Sequence, residues 1–301
     1  MEPNEIRIAN HAAGVNRADL LQRAGHYPPP PGASEILGLE CAGEVVEAGV
    51  NVKGWSRGDR AMALLAGGGY ADEVIVDAGS AMHVPDVLSD IEAAAIPEVY
   101  LTAFSNVFLW AKARRGETIL IHGGGSGVGT AATTLCKLGG MRVIVTAGSD
   151  EKCARCREHG ADECINYKTE DFAEKARNVD IVLDHIGGRY LSKDLQTLNL
   201  GGRVVIIGSM GGERSATIDV TSLLGKRQQI IGSTLRARPV EEKAQIVSSF
   251  LERFGDDLNA GRIRPVIDAV FDIAAMEAAH ERMQADHFGK IVLALSHSSG
   301  G

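Results

Sequence analysis

The sequence predicts an α/β protein in which a doubly wound parallel sheet is combined with a barrel-like antiparallel unit. Three observations predict this fold class. β-branched runs alternate with helical patterns through the middle of the chain, a glycine-rich turn joins the first such run to the first such helix, and Gly and Pro interrupt the opening hundred residues. Continuous apolar strands separated by helices are typical of a parallel sheet that is buried on both faces.

The composition excludes several classes of protein. The chain has 301 residues, of which 45% are hydrophobic and 23% are charged, and this is enough for a sizeable globular core. A net charge of -8 argues against a nucleic-acid partner. No apolar run approaches the roughly 18 residues of a membrane span, and the first residues do not resemble a signal peptide. We therefore expect a cytoplasmic protein without a nucleic-acid partner.

The predicted doubly wound unit spans residues 99–235 and has short apolar strands separated by helices. Its strands are predicted at 118–122, 142–146, 163–167, 180–184, 203–208 and 229–232. Its helices are predicted at 128–138, 151–159, 171–177 and 191–199. Each of the first four strands is followed by a predicted helix, so these consecutive strands should run in the same direction.

The flanking segments differ from this pattern. Residues 1–98 contain short alternating runs, such as 43–48 and 73–76, between turn signals that include four consecutive prolines at 28–31. Short strands with frequent turns predict an antiparallel, barrel-like unit, and we interpret the proline run as a rigid loop beside a pocket. Residues 236–301 contain a charged helix at 240–253 and a closing strand at 289–293, which should complete this unit.

The glycine-rich turn after the first strand matches a dinucleotide-binding fingerprint in the register Gly124-x-Ser126-x-x-Gly129. In this Rossmann motif the glycines allow a tight turn and a close backbone approach to a pyrophosphate, which the helix N-terminus binds. Ser126 replaces the middle glycine, and its hydroxyl is a further candidate donor to phosphate. Gly127 and Val128 complete the predicted phosphate loop. The alternative is a glycine turn with a purely structural role.

The end of the second strand indicates which dinucleotide is bound. Sites for NAD usually place Asp or Glu there, whereas this strand ends in the small neutral residues Gly148 and Ser149. They leave room for a 2′-phosphate, with Lys152 and Tyr167 as candidate partners, so we expect NADPH. The rival interpretation takes Asp150 as the ribose-binding acid and predicts NADH. We expect Asp150 to begin the next helix instead.

Five cysteines are spread along the chain, at positions 41, 136, 153, 156 and 164. An odd, scattered set in a chain of this length favours a reducing compartment over a disulfide framework. Cys153 and Cys156 have the CxxC spacing of a redox or metal half-site. No second ligand pair is close in sequence, so we interpret them as incidental helix cysteines. The histidines near the expected cleft, His11, His122 and His185, likewise have no partner at metal-ligand spacing.

Short motifs along nearly the whole chain carry a resemblance to a known family. They are NRADL (16–20), YPPP (27–30), GLE (38–40), AMALL (61–65), AAIPE (94–98), LTAF (101–104), SGVGTAA (126–132), TAGS (146–149), NYK (166–168) and GKIVL (289–293). In combination they resemble the zinc-independent quinone oxidoreductases of the medium-chain dehydrogenase/reductase superfamily, of the p53-inducible and zeta-crystallin type. The resemblance implies that residues 1–98 and 236–301 form a GroES-like β-barrel catalytic domain.

The resemblance also bears on metal binding. Zinc-using relatives have a Cys where Asn16 stands and a His-Glu pair where Leu39 and Glu40 stand. Leu39 cannot bind a metal, and Asn16 offers neither a thiolate nor an imidazole. We therefore expect no metal.

One departure from the family concerns the start of the chain. Family members usually carry about 25 residues before the strand at 5–13, and these residues form an opening hairpin. Either the gene model is short or part of the barrel is missing, and the latter would leave an unpaired sheet edge.

The resemblance implies NADPH-dependent reduction of quinones. A quinone accepts electrons readily, so the protein mainly has to hold the nicotinamide against the acceptor and exclude water. Tyr27 and Asn16 are the candidate residues at the nicotinamide and acceptor, and Thr102 is a candidate for lining the cofactor cleft. Each has a structural alternative: loop packing for Tyr27, turn capping for Asn16 and an ordinary helix position for Thr102.

Further candidates follow the last strands of the parallel sheet. Gly208, Ser209, Met210 and Leu235 should approach the nicotinamide half of the cofactor, because ligands of open α/β sheets bind beyond the carboxyl ends of the strands. Two other functions remain open, namely reduction of an activated C=C bond, as in enoyl reductases, and a non-catalytic NADPH- or RNA-binding role. Pairing of an edge strand at 229–232 would give a homodimer or homotetramer.

Overall fold

The computed structural model describes residues 1–295 of the chain. These residues belong to two compact units. The first unit comprises Met1–Leu101 together with the described residues from Leu235 onwards, and the second comprises Thr102–Thr234. The sequence places the corresponding boundaries after residues 98 and 235.

Strands and helices alternate through the second unit and are more irregularly ordered in the first. The strands are β1 (Glu5–Val15), β2 (Glu40–Ala48), β3 (Arg60–Leu64), β4 (Glu73–Asp77), β5 (Ala81–His83), β6 (Thr118–Ile121), β7 (Arg142–Ala147), β8 (Glu163–Asn166), β9 (Val179–Asp184), β10 (Leu198–Ile206), β11 (Gln229–Gly232), β12 (Ile267–Asp272) and β13 (Lys290–Ala294). The α-helices are α1 (Arg17–Arg23), α2 (Asp90–Ala93), α3 (Pro97–Phe104), α4 (Gly127–Leu138), α5 (Asp150–Glu158), α6 (Phe172–Lys175), α7 (Gly188–Thr197), α8 (Val220–Gly225), α9 (Val240–Asn259) and α10 (Met276–Gln284). Short 3₁₀ turns lie at Ala78–Ser80 and Ile273–Ala275, and a π-helical turn lies at Ser105–Trp110.

The second unit has a six-stranded sheet in the order β11-β10-β9-β6-β7-β8, and every pair in it is parallel. β6 is bonded to both β7 and β9, so the chain changes direction across the sheet at β6. This is the doubly wound order with its switch point beside β6 and β9, where ligands of such sheets bind. The predicted Rossmann fold is confirmed.

The core of this sheet explains why its strands read as continuous apolar runs. Leu120, Ile144, Val182 and Val204 are buried on one face and belong to a cluster that includes Phe172. Helices cover both faces of a parallel sheet, so neither face needs polar residues.

The first unit is built on a seven-stranded sheet in the order β12-β13-β1-β2-β3-β5, with β4 also paired to β1. β1 bonds to β2 along most of its length, to β4 over its first half and to β13 over its last residues. Both sides of β1 are therefore hydrogen-bonded, and the unpaired sheet edge expected from a missing hairpin does not lie at this strand. The GroES-like architecture predicted for this unit is confirmed in the comparisons reported below.

Some element boundaries differ from the prediction. The helix predicted at 191–199 ends at Thr197, and β10 begins at Leu198 rather than at residue 203. Gly201 has φ of +75° and lies where the register of β10 against β9 shifts. Gly201 and Gly202 therefore belong to an irregular strand rather than to a turn before it. α9 continues to Asn259, six residues beyond the predicted end, because Phe254 and Leu258 extend its buried face.

Among residues 1–295, no helix combines the length and the apolar composition needed to cross a membrane.

Candidate functional site

In the second unit, the glycine-rich turn lies between the end of β6 and the start of α4. A Cβ atom on Gly124 would lie 2.6 Å from Val145 Cβ, and one on Gly129 would clash with the Gly123 carbonyl oxygen. Neither position can carry a side chain without a backbone shift, which is the close approach that the fingerprint predicts. Between them, Ser126, Gly127 and Val128 are partly exposed at the first turn of the helix.

Ser126 has a role that its position in the motif does not reveal. Its Oγ accepts a hydrogen bond from Gly129 N at 3.0 Å and so caps the N-terminus of α4. A serine in this place ties the glycine turn to the helix, because it satisfies one of the amide groups that have no partner within the helix. The other amide groups of the first turn, together with the helix dipole, make the exposed end of α4 suited to a phosphate.

A second cluster lies at the ends of β7 and β8. A Cβ atom on Gly148 would lie 2.7 Å from Tyr167 Oη and 3.6 Å from Lys168 Cε, so both side chains reach the backbone at this glycine. Ser149 Oγ accepts from Lys152 N at 3.2 Å and caps α5. The structure thus brings the four predicted residues together and adds Lys168, which sequence reasoning missed although it belongs to the NYK motif.

Asp150 is the first residue of α5, as the sequence predicts. Its Oδ1 accepts a hydrogen bond from Asn166 Nδ2 at 2.8 Å. The carboxylate is therefore engaged with β8 and stabilises the first turn of a helix, where a negative charge is favourable. This geometry favours the interpretation in which Asp150 is a helix residue over the one in which it binds a ribose.

Gly208, Ser209 and Met210 follow β10 at the carboxyl end of the sheet. Met210 N donates to the His185 carbonyl oxygen at 2.9 Å, so the loop after β10 is tied to the loop after β9. Met210 is exposed, whereas Leu235, which belongs to the first unit, is buried. The carbonyl oxygen of Thr102 in α3 accepts from Asn106 Nδ2 at 2.7 Å, and its side chain is partly exposed.

Beneath the glycine turn lies a buried cluster of His122, Asp184 and Asp194. His122 Nε2 lies 2.8 Å from Asp194 Oδ1 and Nδ1 lies 3.1 Å from Thr146 Oγ1. Potential ligand atoms of the three clustered residues lie within 4.8 Å of one another, so the expectation that His122 has no partner at metal-ligand spacing is wrong. Asp194 is 72 residues away in sequence, and only the packing of α7 against the sheet brings it close.

Burial and the charges of this cluster shift the pKa values of Asp184 and of the neighbouring His185 in opposite directions. Burial, and then the negative charge of Asp194, raises the pKa of Asp184 to about 6. Burial, and then the charge of His122, lowers the pKa of His185 to about 4. At neutral pH the His185 imidazole is therefore neutral.

In the first unit, Asn16 lies in a buried ionic cluster. Lys290 Nζ donates to Glu40 Oε1 at 2.6 Å, to Asn16 Oδ1 at 2.7 Å and to the Val15 carbonyl oxygen at 2.9 Å. Asn16 Nδ2 donates to the same Glu40 oxygen at 2.9 Å, and Glu40 Oε2 accepts from Glu98 N at 2.8 Å. The ammonium group has three acceptors, which is the full complement that a buried lysine requires.

This arrangement does not suit a zinc ion. Leu39 is buried and offers no ligand atom, and the Lys290 ammonium already neutralises Glu40. A divalent cation at this place would stand beside a buried positive charge. The residues present therefore form a closed hydrogen-bonded cluster in place of the metal ligands.

A second chain of polar groups holds the start of α1. The buried Asp19 carboxylate accepts from Asn16 N at 2.8 Å and from Tyr70 Oη at 3.1 Å. Tyr70 Oη also lies 3.2 Å from His280 Nε2. Burial raises the pKa of Asp19 to about 6 despite these donors. Asn16 is thus fixed through both its side chain and its backbone, because Asp19 caps the helix that Asn16 begins.

Tyr27 is held by Arg236, a residue that sequence reasoning missed. The Arg236 guanidinium lies 5.2 Å from the centre of the Tyr27 ring and donates to the Tyr27 carbonyl oxygen at 3.2 Å. It also donates to the Ala66 carbonyl oxygen and to Gln22 Oε1. Burial, and then the charge of Glu98, raises the pKa of the Tyr27 phenol, so the phenol keeps its proton at neutral pH.

The carboxyl group of Glu98 is an unusual feature of the first unit, because its Oε2 is buried without a hydrogen-bond partner. Burial, and then the nearby Glu40, raises the pKa of Glu98 to about 8. In the folded protein this group therefore remains protonated at neutral pH.

We expect the stability of the protein to fall by about 2 kcal/mol between pH 6 and pH 9 through the ionisation of Glu98. The pKa of Glu98 is about 8 in the folded chain, above the ordinary 4.5, so stability falls as the pH rises from the ordinary value to the folded value and levels off above pH 8. Glu98→Gln should remove this part of the decline in urea unfolding midpoints. The exposed Glu158→Gln variant should retain it, and equal pH profiles for the two variants would contradict the assignment.

The comparisons with known proteins agree with both units. A family model described as "Zinc-binding dehydrogenase" matches residues 127–253. A second family model, described as "Alcohol dehydrogenase GroES-like domain", matches residues 2–86. The quinone oxidoreductase of Rattus norvegicus is 30% identical over 303 residues, which cover 98% of this chain and 90% of that protein.

Two solved structures show the same fold along the whole chain. The quinone oxidoreductase from Thermus thermophilus, whose structure was also solved in complex with NADPH, is 30% identical with a TM-score of 0.81, and the match covers 98% of this chain and 92% of that one. The CurK enoyl reductase is 27% identical with a TM-score of 0.83 and the same coverage of both chains.

Proposed function

The chain belongs to the medium-chain dehydrogenase/reductase superfamily of pyridine-nucleotide-dependent oxidoreductases, and we propose that it reduces quinones with NADPH and without a metal ion. The observation that carries this proposal is the cluster at Gly148. There, Tyr167 and Lys168 reach the backbone of Gly148 and Ser149 caps α5, while the carboxylate of the next residue, Asp150, is engaged with Asn166. A 2′-phosphate would meet a hydroxyl, a phenol and an ammonium group at this place rather than a carboxylate.

The residues proposed to hold the cofactor lie in the second unit. The amides at the start of α4 would bind the pyrophosphate, and Ser149, Lys152, Tyr167 and Lys168 would bind the ribose phosphate. Gly208, Ser209 and Met210 are proposed for the nicotinamide half, together with Leu235 from the first unit. When bound, NADPH would supply the hydride, which is the chemistry that this chain's side chains lack.

The metal-free part of the proposal rests on the cluster around Lys290. With Asn16 and Glu40 bonded to this lysine, the positions at which zinc-using relatives hold their metal are already engaged in hydrogen bonds. A quinone needs less polarisation than a simple ketone, because its reduction produces an aromatic ring. We therefore propose a quinone as the acceptor, with Tyr27, Asn16 and Thr102 as the residues around the reacting groups.

The amide of Asn16 is already committed to Lys290, Glu40 and the Gly14 carbonyl oxygen. We propose that Asn16 acts mainly as a positioning residue, which fixes the start of α1 and the segment that follows it. Tyr27 is better suited to direct contact, since it is half-buried and anchored through its backbone and its ring by Arg236.

The first experiment measures oxidation of NADPH and of NADH, each with 1,2-naphthoquinone and with no acceptor. Turnover that requires both the quinone and NADPH would support the proposal. Efficient turnover with NADH would contradict the assignment of the Gly148 cluster. Binding of NADPH without turnover of any quinone would contradict the proposed reaction while leaving the cofactor site intact.

Lys168→Met should weaken NADPH binding by about 10-fold, because one charge-assisted contact to the 2′-phosphate is lost. Binding of NADH, which has no 2′-phosphate, should be unchanged. Dissociation constants from fluorescence titration test this directly, with Lys175→Met as a charge-matched control. An equal loss for both nucleotides would indicate a structural role for Lys168.

Tyr27→Phe should lower kcat by about 10-fold or more if the phenol donates a hydrogen bond or a proton to the acceptor oxygen. The substitution keeps the ring that packs against Arg236, so NADPH affinity and the unfolding midpoint should hold. Steady-state kinetics with 1,2-naphthoquinone give the result. An unchanged kcat would restrict Tyr27 to a packing role.

A second candidate function is reduction of an activated C=C bond, which the similarity to the CurK enoyl reductase favours. Hydride delivery to an enone uses the same cofactor site, so the two candidates differ in acceptor shape rather than in residues. A parallel assay with a 2-enal and an enoyl thioester separates them. Higher kcat/KM for either of these than for the naphthoquinone would favour the enoyl reductase.

We also propose a homodimer or homotetramer in the cytoplasm, without nucleic-acid partners. β11 is the edge strand of the parallel sheet and is largely exposed, so two copies can pair along it across a twofold axis. The cysteines at positions 41, 136, 153, 156 and 164 are all free thiols, which favours a reducing compartment. Sedimentation of the protein at several concentrations tests the oligomer. RNA retention without NADPH oxidation would support the non-catalytic alternative instead.

A further inference from the structure

Three cysteine side chains meet between α5 and β8 in the second unit. Cys164 Sγ lies 2.8 Å from Cys153 Sγ, and the Cys164 thiol also hydrogen-bonds to Cys156. Cys153 and Cys156 are three residues apart in α5 and so face β8 together. The interpretation of the CxxC pair as incidental overlooked Cys164, because β8 brings this third thiol to the pair only in the folded chain.

Cys164 lies beside a surface cavity. This residue lines a surface cavity of about 270 Å³ together with Arg157, Asp162, Glu163, Glu170 and Lys175. The lining is mostly charged, so the cavity suits water and small polar solutes. Cys164 is 7% exposed, against 2% for Cys153 and for Cys156, so it is the most exposed of the three.

The three thiols are not equivalent as acids. The hydrogen bond from Cys164, and then the positive charges of Lys152, Arg157 and Arg155, lower the pKa of Cys156. The contact with Cys156, then burial, and then the hydrogen bond with Cys153 raise the pKa of Cys164. Cys156 therefore ionises most readily of the three.

We propose that Cys153 and Cys164 form a thiol-oxidation site, at which hydrogen peroxide converts the pair into a disulfide. The geometry supports this assignment because the Cys153 and Cys164 sulfur atoms are already in contact and Cys164 is among the residues that line the surface cavity. This site is independent of the proposed function.

The reaction balances with one peroxide for two thiols. The Cys164 thiol gives up its proton as its sulfur attacks peroxide, so that an S–O bond forms, the O–O bond breaks and the departing hydroxide takes up that proton as water. The Cys153 thiol then loses its proton and attacks Cys164 sulfur, so that the S–S bond forms and the S–O bond breaks. The second hydroxide leaves as water, and both sulfur atoms have been oxidised by one electron each.

A disulfide at this place would join α5 to β8. α5 begins directly after Ser149, and β8 ends directly before Tyr167. The Sγ atom of the remaining thiol, Cys156, lies 3.2 Å from the position that a Cβ atom on Gly124 would occupy. A thiol-reducing pool would reverse the bond.

The experiment uses the intact chain, reduced and then freed of reductant. Two equivalents of hydrogen peroxide should lower the number of thiols that react after denaturation from five to three, and dithiothreitol should restore five. Cleavage after Lys152, Arg155, Arg157 and Lys168 separates Cys153, Cys156 and Cys164 into different tryptic peptides. Mass spectrometry without reduction should find peptide 153–155 linked to peptide 158–168.

A matched variant distinguishes this cluster from cysteines elsewhere. Cys136→Ser, in α4, should start with four thiols and fall to two, whereas Cys164→Ser should keep all four under the same treatment. The proposal is overturned if five thiols remain in the unaltered chain after peroxide. It is also overturned if the lost thiols are converted to sulfinic acids, or if peptide 158–168 is linked to peptide 156–157 instead.

Discussion

Replacing Gly129 by Ala is expected to weaken NADPH binding by about 100-fold, equal to about 2.7 kcal/mol, and to destabilise the second unit. The new Cβ would clash with the Gly123 carbonyl oxygen and would lie 2.9 Å from Gly124 Cα. Because those contacts are backbone atoms, the glycine turn must move away from the start of α4. The amides that are proposed to bind the pyrophosphate would then lose their alignment.

Fluorescence titration with NADPH measures this effect, and circular dichroism at several urea concentrations reports the stability. Gly255→Ala is the matched control, because Gly255 also lies inside a helix and a Cβ there would have no neighbour within 4 Å. This control should bind NADPH normally and gain about 1 kcal/mol of stability. Tight NADPH binding by the Gly129→Ala variant would show that close packing of the turn is not needed for the site.

Replacing Lys290 by Met is expected to cost about 3–5 kcal/mol of stability, which is the largest stability effect we expect from a single side chain. Glu40 is fully buried and its Oε1 accepts from both Lys290 and Asn16. Without the ammonium group, a buried carboxylate would remain with no opposite charge. It would either stay ionised at high cost or take up a proton, and Asn16 would lose its acceptor contact with the lysine.

The double variant Glu40→Gln/Lys290→Met tests whether the uncompensated charge causes this loss. It removes both charges, so it should recover a large part of the stability that Lys290→Met loses. Lys137→Met is the surface control, because Lys137 pairs with Asp162 where both side chains are more than a third exposed, and it should cost less than about 1 kcal/mol. A loss of similar size for Lys290→Met and Lys137→Met would contradict the view of Lys290 as a buried counter-charge.

The roles of Gly129 and Lys290 differ in how far they can be predicted from the sequence alone. Gly129 was identifiable because the fingerprint spaces its glycines over six residues, and the strand before them and the helix after them are also local patterns. Lys290 was identifiable only as one residue of the GKIVL motif, which does not indicate its partners. Its partners Glu40 and Asn16 are 250 and 274 residues away, and no local periodicity relates them.

The sequence by itself determined the parallel sheet, the glycine turn and the position of Asp150 at the start of a helix. Each depends on neighbours a few residues away, through side-chain periodicity, glycine conformation and helix capping. Only the tertiary structure decided which distant side chains meet, as with Lys290 and Glu40, Arg236 and Tyr27, Asp194 and His122, and Cys164 and Cys153. The physical reason is that strand pairing and helix packing are fixed by the burial of whole apolar faces. A polar residue on such an element meets its partner only through the way the elements pair and pack. The residues beside it in the sequence do not determine that pairing.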